Sequence, residues 1–280
     1  MRTRFHFVLA ALVAGVTLSQ PVLADELIPG GDERFKFILG GIVARIDSGI
    51  GLDGTTNNGT LIDLEGPGGS KNITNVMLGA TWRPGSNHRI SGIFFSTKKE
   101  RSLAFDQTIT IGDDTLVPPT TLDTTSRNRF LFATYEYSFV KNKDVEIAAL
   151  LGAYLNKFSA ELSGTATVSN SQGAASVTRT VDYKPSVTVP MPLIGASINW
   201  YATPRFSVGG SLSGLKAKIG DVDGSVYVAT VSAEYMFTRN LGAGLAYMHT
   251  DADVDITKKN FTGSIDWKND NFLLYATLKF

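Results

Sequence analysis

Apolar and polar positions alternate along most of the chain after residue 33, and Asn271 to Phe280 shows the pattern most plainly. Phe272, Leu274, Ala276, Leu278 and Phe280 share one parity, while Asn271, Leu273, Tyr275, Thr277 and Lys279 share the other. Strand side chains point to opposite faces in turn, so this stretch predicts a strand with one wholly apolar face. The same rhythm predicts strands at Arg34 to Ala44, Asn75 to Trp82, Arg89 to Ser96, Phe130 to Phe139 and Val145 to Leu155. Four more follow at Val189 to Trp200, Phe206 to Leu212, Tyr227 to Phe237 and Leu241 to Tyr247. Pro190 and Pro192 are expected at a strand start or bulge, because proline cannot donate to a ladder.

The breaks between these segments fall into two classes. Arg83 to Asn87, Lys141 to Asp144, Ala202 to Pro204 and Thr238 to Asn240 are short and rich in turn residues. Each follows an aromatic residue: Trp82, Phe139, Trp200 with Tyr201, and Phe237. Rings at strand ends are what a membrane interface selects. The other breaks read as long polar loops: Gly49 to Lys71, Lys99 to Arg127, Ser163 to Ser186, Ile219 to Gly224 and Asp251 to Asn269. Short turns on one side and long loops on the other predict an all-β chain: a single transmembrane antiparallel up-and-down β-barrel of about 10 strands. Both ends of the barrel then lie on the short-turn side. The last strand's free edge would pair with the first. A soluble exported β-sandwich that binds a ligand is the alternative fold for the same alternation.

Parity also sorts the charges. Lys36, Arg83, Arg89, Glu136, Glu146, Arg205 and Glu234 fall on the inward side, each near a short turn or the start of the first strand. They are expected to form a belt inside the lumen at the short-turn end. Turning Glu136 outward would bury Tyr135 and Tyr137, because strand alternation is rigid. Long arginines crossing a narrow lumen to carboxylates would make a constriction. Gly40, Gly152, Gly195, Gly209, Gly242 and Gly244 share the inward parity, where a narrow barrel needs room.

Residues 1–24 read as a secretory signal peptide, leaving 25–280 as the barrel domain. Arg2 and Arg4 are followed by an apolar core from Phe7 to Leu18 and a small-residue cleavage site ending at Ala24. That core is shorter than the ~20 residues a membrane helix needs. Its removal takes two positive charges from a chain with 26 basic and 26 acidic residues, so the remainder is nearly neutral. Nucleic-acid binding, which calls for a strong basic excess, is not expected. The chain has no cysteine, and hence no disulfide or cysteine-linked lipid anchor.

The alternation ending on Phe280 resembles the carboxy-terminal signature of Gram-negative outer-membrane proteins. The resemblance implies that Phe272, Leu274, Ala276, Leu278 and Phe280 are read by the barrel assembly machinery. Trp82 to Tyr154, with its Arg-Pro-Gly turn and Tyr135-Glu136-Tyr137-Ser138-Phe139, is similar to a group of uncharacterised proteobacterial outer-membrane barrels. So is Asn240 to Phe280, with Asp253-Val254-Asp255. This implies a place in the cell outer membrane among its lipids and lipopolysaccharide, with periplasmic termini, and implies no activity.

Catalytic chemistry finds little support in the residues. His249, Asp251, Asp253 and Asp255 share a face. An EF-hand needs Gly and Glu where Ile256 and Thr262 stand. A barrel-mouth hydrolase, acting on lipid A or on surface peptides in the manner of the ten-stranded omptin proteases, would need Asp and His inside the mouth. His249 continues the outward parity of Leu245 and Tyr247, which favours a solvated hairpin stem. Only His88 and His249 follow the signal segment, and there is no Gly-x-Ser-x-Gly elbow. The expected role is non-enzymatic: envelope structure, surface contact or restricted, porin-like solute passage. No cofactor or metal is expected, and no particular surface ligand is named by these residues.

Overall fold

The computed structural model describes residues 31–280, apart from 55–57, 65–72, 170–175 and 259–260. The expected signal segment, residues 1–24, and part of the predicted loops lie outside the described residues. Those residues form strands β1 (Phe35–Ile50), β2 (Ile62–Asp63), β3 (Ile73–Gly85), β4 (His88–Phe105), β5 (Ile109–Ile111), β6 (Asp114–Lys141) and β7 (Val145–Ser169). They continue with β8 (Ser176–Tyr183), β9 (Ser186–Tyr201), β10 (Phe206–Ile219), β11 (Val222–Met236), β12 (Leu241–Lys258) and β13 (Phe261–Lys279), and include no helix.

Ten of these strands close a ring in the order β1, β3, β4, β6, β7, β9, β10, β11, β12, β13, every neighbour antiparallel. The seam is the pairing of β1 with β13, from Lys36 opposite Lys279 to Ile50 opposite Ile265. Phe280 extends it: its N–H donates to Phe35 O at 2.8 Å, and its carbonyl accepts from Arg34 and Phe35. A closed ring leaves no strand edge to be satisfied by water, which is what hydrocarbon requires. The Phe280 ring meets Phe37 edge-on at 6.4 Å. Phe280→Ala should therefore lower the yield of folded barrel in the membrane well below that of Thr178→Ala, a change at an exposed hairpin position. Equal yields by heat-modifiable gel migration would remove Phe280 from the assembly account.

The outward face carries a continuous apolar band. Phe37, Leu39, Val76, Leu78, Phe94, Leu131, Leu151, Ile194, Ile198, Leu212, Val231, Leu245, Phe272 and Leu274 are all exposed. Trp82, Phe139, Trp200, Phe237 and Phe280 ring its short-turn end. A soluble protein rarely exposes a contiguous apolar patch beyond a few hundred Å². The face is built for lipid.

The strands outrun the predicted segments. Much of what reads as long loop is strand: β6 has 28 residues and β7 has 25. Ile219 to Gly224, expected as a loop, is a tight reversal at Gly220, which has φ +59° and so suits glycine. The extensions hold because they keep the period of two, with Leu103, Leu122, Leu162, Val226, Val254 and Ile265 turned inward and buried. Their polar outward residues and turn-rich composition hid that alternation.

Pro190 and Pro192 do not mark a strand start or bulge. They sit within β9, opposite Leu155 and Ala153 of β7. Between β9 and β10 the pairing begins only at Ile194 with Gly214, so both prolines occupy a stretch that is unpaired on its other edge. An imide costs no ladder bond there.

Candidate functional site: the barrel interior

The interior is organised in layers. At the short-turn end, two ionic clusters face each other. In the first, Arg83 of β3 reaches Glu146 of β7 through two parallel hydrogen bonds of 2.9 and 2.8 Å. Glu146 is fully buried and also accepts from Ser138 at 2.5 Å, Tyr201 at 2.8 Å and Arg89 at 3.3 Å. Arg89 of β4 pairs as well with Glu136 of β6, which in turn accepts from Ser197 of β9. Planar guanidinium against carboxylate is the geometry that fixes such contacts most firmly. In the second cluster, Glu234 of β11 pairs with Lys36 of β1 at 2.5 Å and with Lys279 of β13 at 2.6 Å.

The chain ahead of β1 closes this end further. Glu33 is buried, with its carboxylate 3.8 Å from Arg83 Nε. Gly31 is buried against Tyr201 and Glu146, on the far side of the ring from β1, and its carbonyl accepts from Lys141 Nζ at 2.8 Å. Asp32 pairs with the same lysine at 3.2 Å. Residues 31–34 thus cross the mouth as a strap.

Of the seven belt residues expected from parity, the structure brings Lys36, Arg83, Arg89, Glu136, Glu146 and Glu234 into these two clusters. Arg205 stands outside them. It is exposed in the turn between β9 and β10, where its N–H meets Thr203 Oγ1 at 3.2 Å. The alternation of β10 begins one residue later, at Phe206, so inward parity does not extend to it. Parity assigned to the belt neither Lys279 nor Tyr201, although Lys279 shares the inward side of β13 with Tyr275 and Thr277. Glu33 precedes the first strand, so alternation carried no signal for it.

Above the ionic layer lies a cavity of about 200 Å³, lined by Ile38, Met77, Ile93, Phe132, Leu150 and Leu273 among others, with Arg89 and Glu136 on its floor. Farther from the short turns, an aromatic row crosses the lumen. Phe95 stacks on Phe130 at 4.6 Å, Phe130 meets Tyr154 at 5.9 Å, and Tyr154 stacks on Trp267 at 6.2 Å. These residues belong to β4, β6, β7 and β13, so the row spans the lumen from one wall to the opposite one. Beyond it, Phe158, Leu162, Val189, Val226, Val254 and Ile256 fill the hairpin extensions with a buried apolar core. At the far end, Asp114 of β6 accepts from Arg179 and Tyr183 of β8, each at 2.7 Å. Burial and the Asp114 carboxylate push the Tyr183 phenol well above its usual range.

His249 lies on the outward face of β12. Its Nδ1 is 2.8 Å from Asp270 Oδ1, which also accepts from the Tyr247 hydroxyl at 2.6 Å. Asp253 and Asp255 are exposed on the same face. Among the described residues, no group of three or more His, Cys, Asp or Glu is placed to hold a metal ion.

No family model and no curated protein sequence matches this chain. Solved structures do. The outer-membrane protease OmpT from Escherichia coli superposes with a TM-score of 0.52 at 12% identity, covering 92% of this chain and 99% of that one. The attachment invasion locus protein Ail of Yersinia pestis gives a TM-score of 0.34 at 14% identity, covering 88% and 97%. Neisserial surface protein A gives 0.35 at 13% identity, covering 88% and 97%. The ten-stranded ring and the OmpT superposition together make the fold that of an outer-membrane β-barrel.

Proposed function

We propose that this chain is a non-enzymatic outer-membrane barrel with a closed lumen, acting in envelope structure or surface contact rather than as an open pore. The apolar band and the closure of the ring by the pairing of β1 with β13 support its place in the outer membrane. The filled interior carries the functional reading: ionic clusters and a strap at one end, aromatic row and apolar core at the other. Restricted solute passage would need all of these to move together. Proteoliposomes containing the folded protein should swell in isosmotic sugar no faster than protein-free liposomes. Rapid swelling with small sugars would refute the closed reading.

Surface hydrolysis is the second reading. The Tyr247, Asp270 and His249 hydrogen-bonded row favours it, since an imidazole oriented by a carboxylate is a usable base. The fold shared with OmpT adds a scaffold and no residue role. The row faces outward on β12 and β13 rather than into a mouth, which weighs against it. His249→Ala should leave peptide cleavage and lipid A composition of whole cells unchanged. Loss of either activity in that variant would make the hydrolase reading the correct one.

A further inference from the structure

Directly above the apolar band, four cations share the outward face of β4, β6 and β7: Lys98, Arg127, Arg129 and Lys157, all exposed. Arg129 and Lys157 each follow an apolar outward residue by one alternation, after Leu131 and Leu155. Lys98 stands two alternations beyond Phe94. The register sets Lys98 opposite Arg127, and Arg129 opposite Lys157. Directly opposed residues lie roughly 5 Å apart at Cβ, and like charges so placed destabilise a sheet. Carboxylates relieve only half of the patch. Glu100 pairs with Lys98, and Glu161 meets Arg127 at 3.0 Å. Arg129 and Lys157 make no ion pair among the described residues. The opposite sector at this height mixes its signs instead, with Lys268 paired to Asp251 at 3.2 Å and His249 to Asp270 at 2.8 Å.

We propose that this patch binds the phosphate groups of a phosphorylated glycolipid in the outer leaflet. The inference rests on the outer-membrane reading, and on the patch lying at the end opposite the short turns and the strap. Phosphate between Arg129 and Lys157 turns a repulsive cross-strand pair into a bridged one. The arginine fork grips two oxygens and lysine supplies a point charge. Lysine and arginine stems can lie along the apolar band while their heads stay at headgroup height. Phe94, Leu131 and Leu155 below offer a surface for acyl chains. The chemistry therefore selects a ligand with phosphate above and hydrocarbon beneath.

The experiment uses the folded full-length barrel in neutral detergent, titrated with lipid A bearing both phosphates, with its dephosphorylated form and with phosphatidylglycerol. Retention is read by native mass spectrometry and by the shift in thermal midpoint. Bisphosphorylated lipid A should bind roughly tenfold more tightly than either comparison lipid. Arg129→Gln with Lys157→Gln should abolish that preference, while Lys216→Gln with Lys218→Gln should keep it. Equal binding of lipid A with and without phosphate, or an unchanged preference in the Arg129/Lys157 variant, overturns the site. Equal binding of phosphatidylglycerol overturns the choice of glycolipid. Fractionation separates the two layers of the argument: a soluble periplasmic protein would sink the membrane reading, whereas a membrane protein without phosphate preference loses only this site.

Discussion

Glu146→Ala should cost the barrel about 3–5 kcal/mol of stability, the scale on which removing one partner of a buried ion pair destabilises a protein. Glu146 is fully buried and is the acceptor on which Arg83, Arg89, Ser138 and Tyr201 converge. Its loss leaves the buried Arg83 guanidinium with only the more distant Glu33 carboxylate, 3.8 Å from its Nε. Glu146→Gln keeps the shape but not the charge, and should fall between the parent and the alanine variant. Arg83→Met with Glu146→Leu removes both charges at similar volume and should recover most of the loss. Urea unfolding followed by heat-modifiable migration reads all four proteins. A double variant no better than Glu146→Ala would place the stabilisation in the Ser138 and Tyr201 contacts instead of the ion pair.

Tyr154→Ala should be comparably damaging, at about 3–5 kcal/mol, the range for truncating a large buried aromatic. Tyr154 is 2% exposed and sits between Phe130 and Trp267 in the row that spans the lumen. Its hydroxyl is buried beside the polar groups of Trp267 and Asn269, without a well-formed hydrogen bond to either. Tyr154→Phe keeps the ring and loses only this weak polar contact, so it should stay within about 1 kcal/mol of the parent. The two substitutions separate packing from polarity at one position. A Phe variant as unstable as the Ala variant would assign the role to the hydroxyl.

Most of the wall was legible from alternation alone. Phe272 through Phe280 predicted the closing strand and its outward face, and Trp82, Phe139 and Phe237 marked the turn-side rim. Strand length was not legible. Asp253 and Asp255 look like loop residues, yet Ala252, Val254 and Ile256 between them are buried and carry β12 onward. Composition drew attention to the outward residues and away from the inward ones. In the site, parity brought six of the seven belt residues together and failed for Arg205, which lies in a turn where parity has no meaning. Glu33 and Gly31 were beyond its reach, since a strap crossing the mouth has no periodicity. The aromatic row was missed for a different reason. Phe95, Phe130, Tyr154 and Trp267 sit on four strands, and only the closed ring brings them into a line.

That row changes what the belt can do. A constriction made by the belt alone would open when Arg89 and Glu136 are removed, and alternation by itself predicts that result. On the closed-lumen proposal, the aromatic row and the apolar core above it should keep the lumen shut after the belt is cut. Single-channel recording in a planar bilayer, on the unmodified protein and on Arg89→Ala with Glu136→Ala, tests this most directly. A closed interior predicts no steady open-pore current from either protein, with both still showing folded migration on unboiled gels. A large, steady conductance from the unmodified barrel, or one that appears when only those two charges are removed, would contradict it.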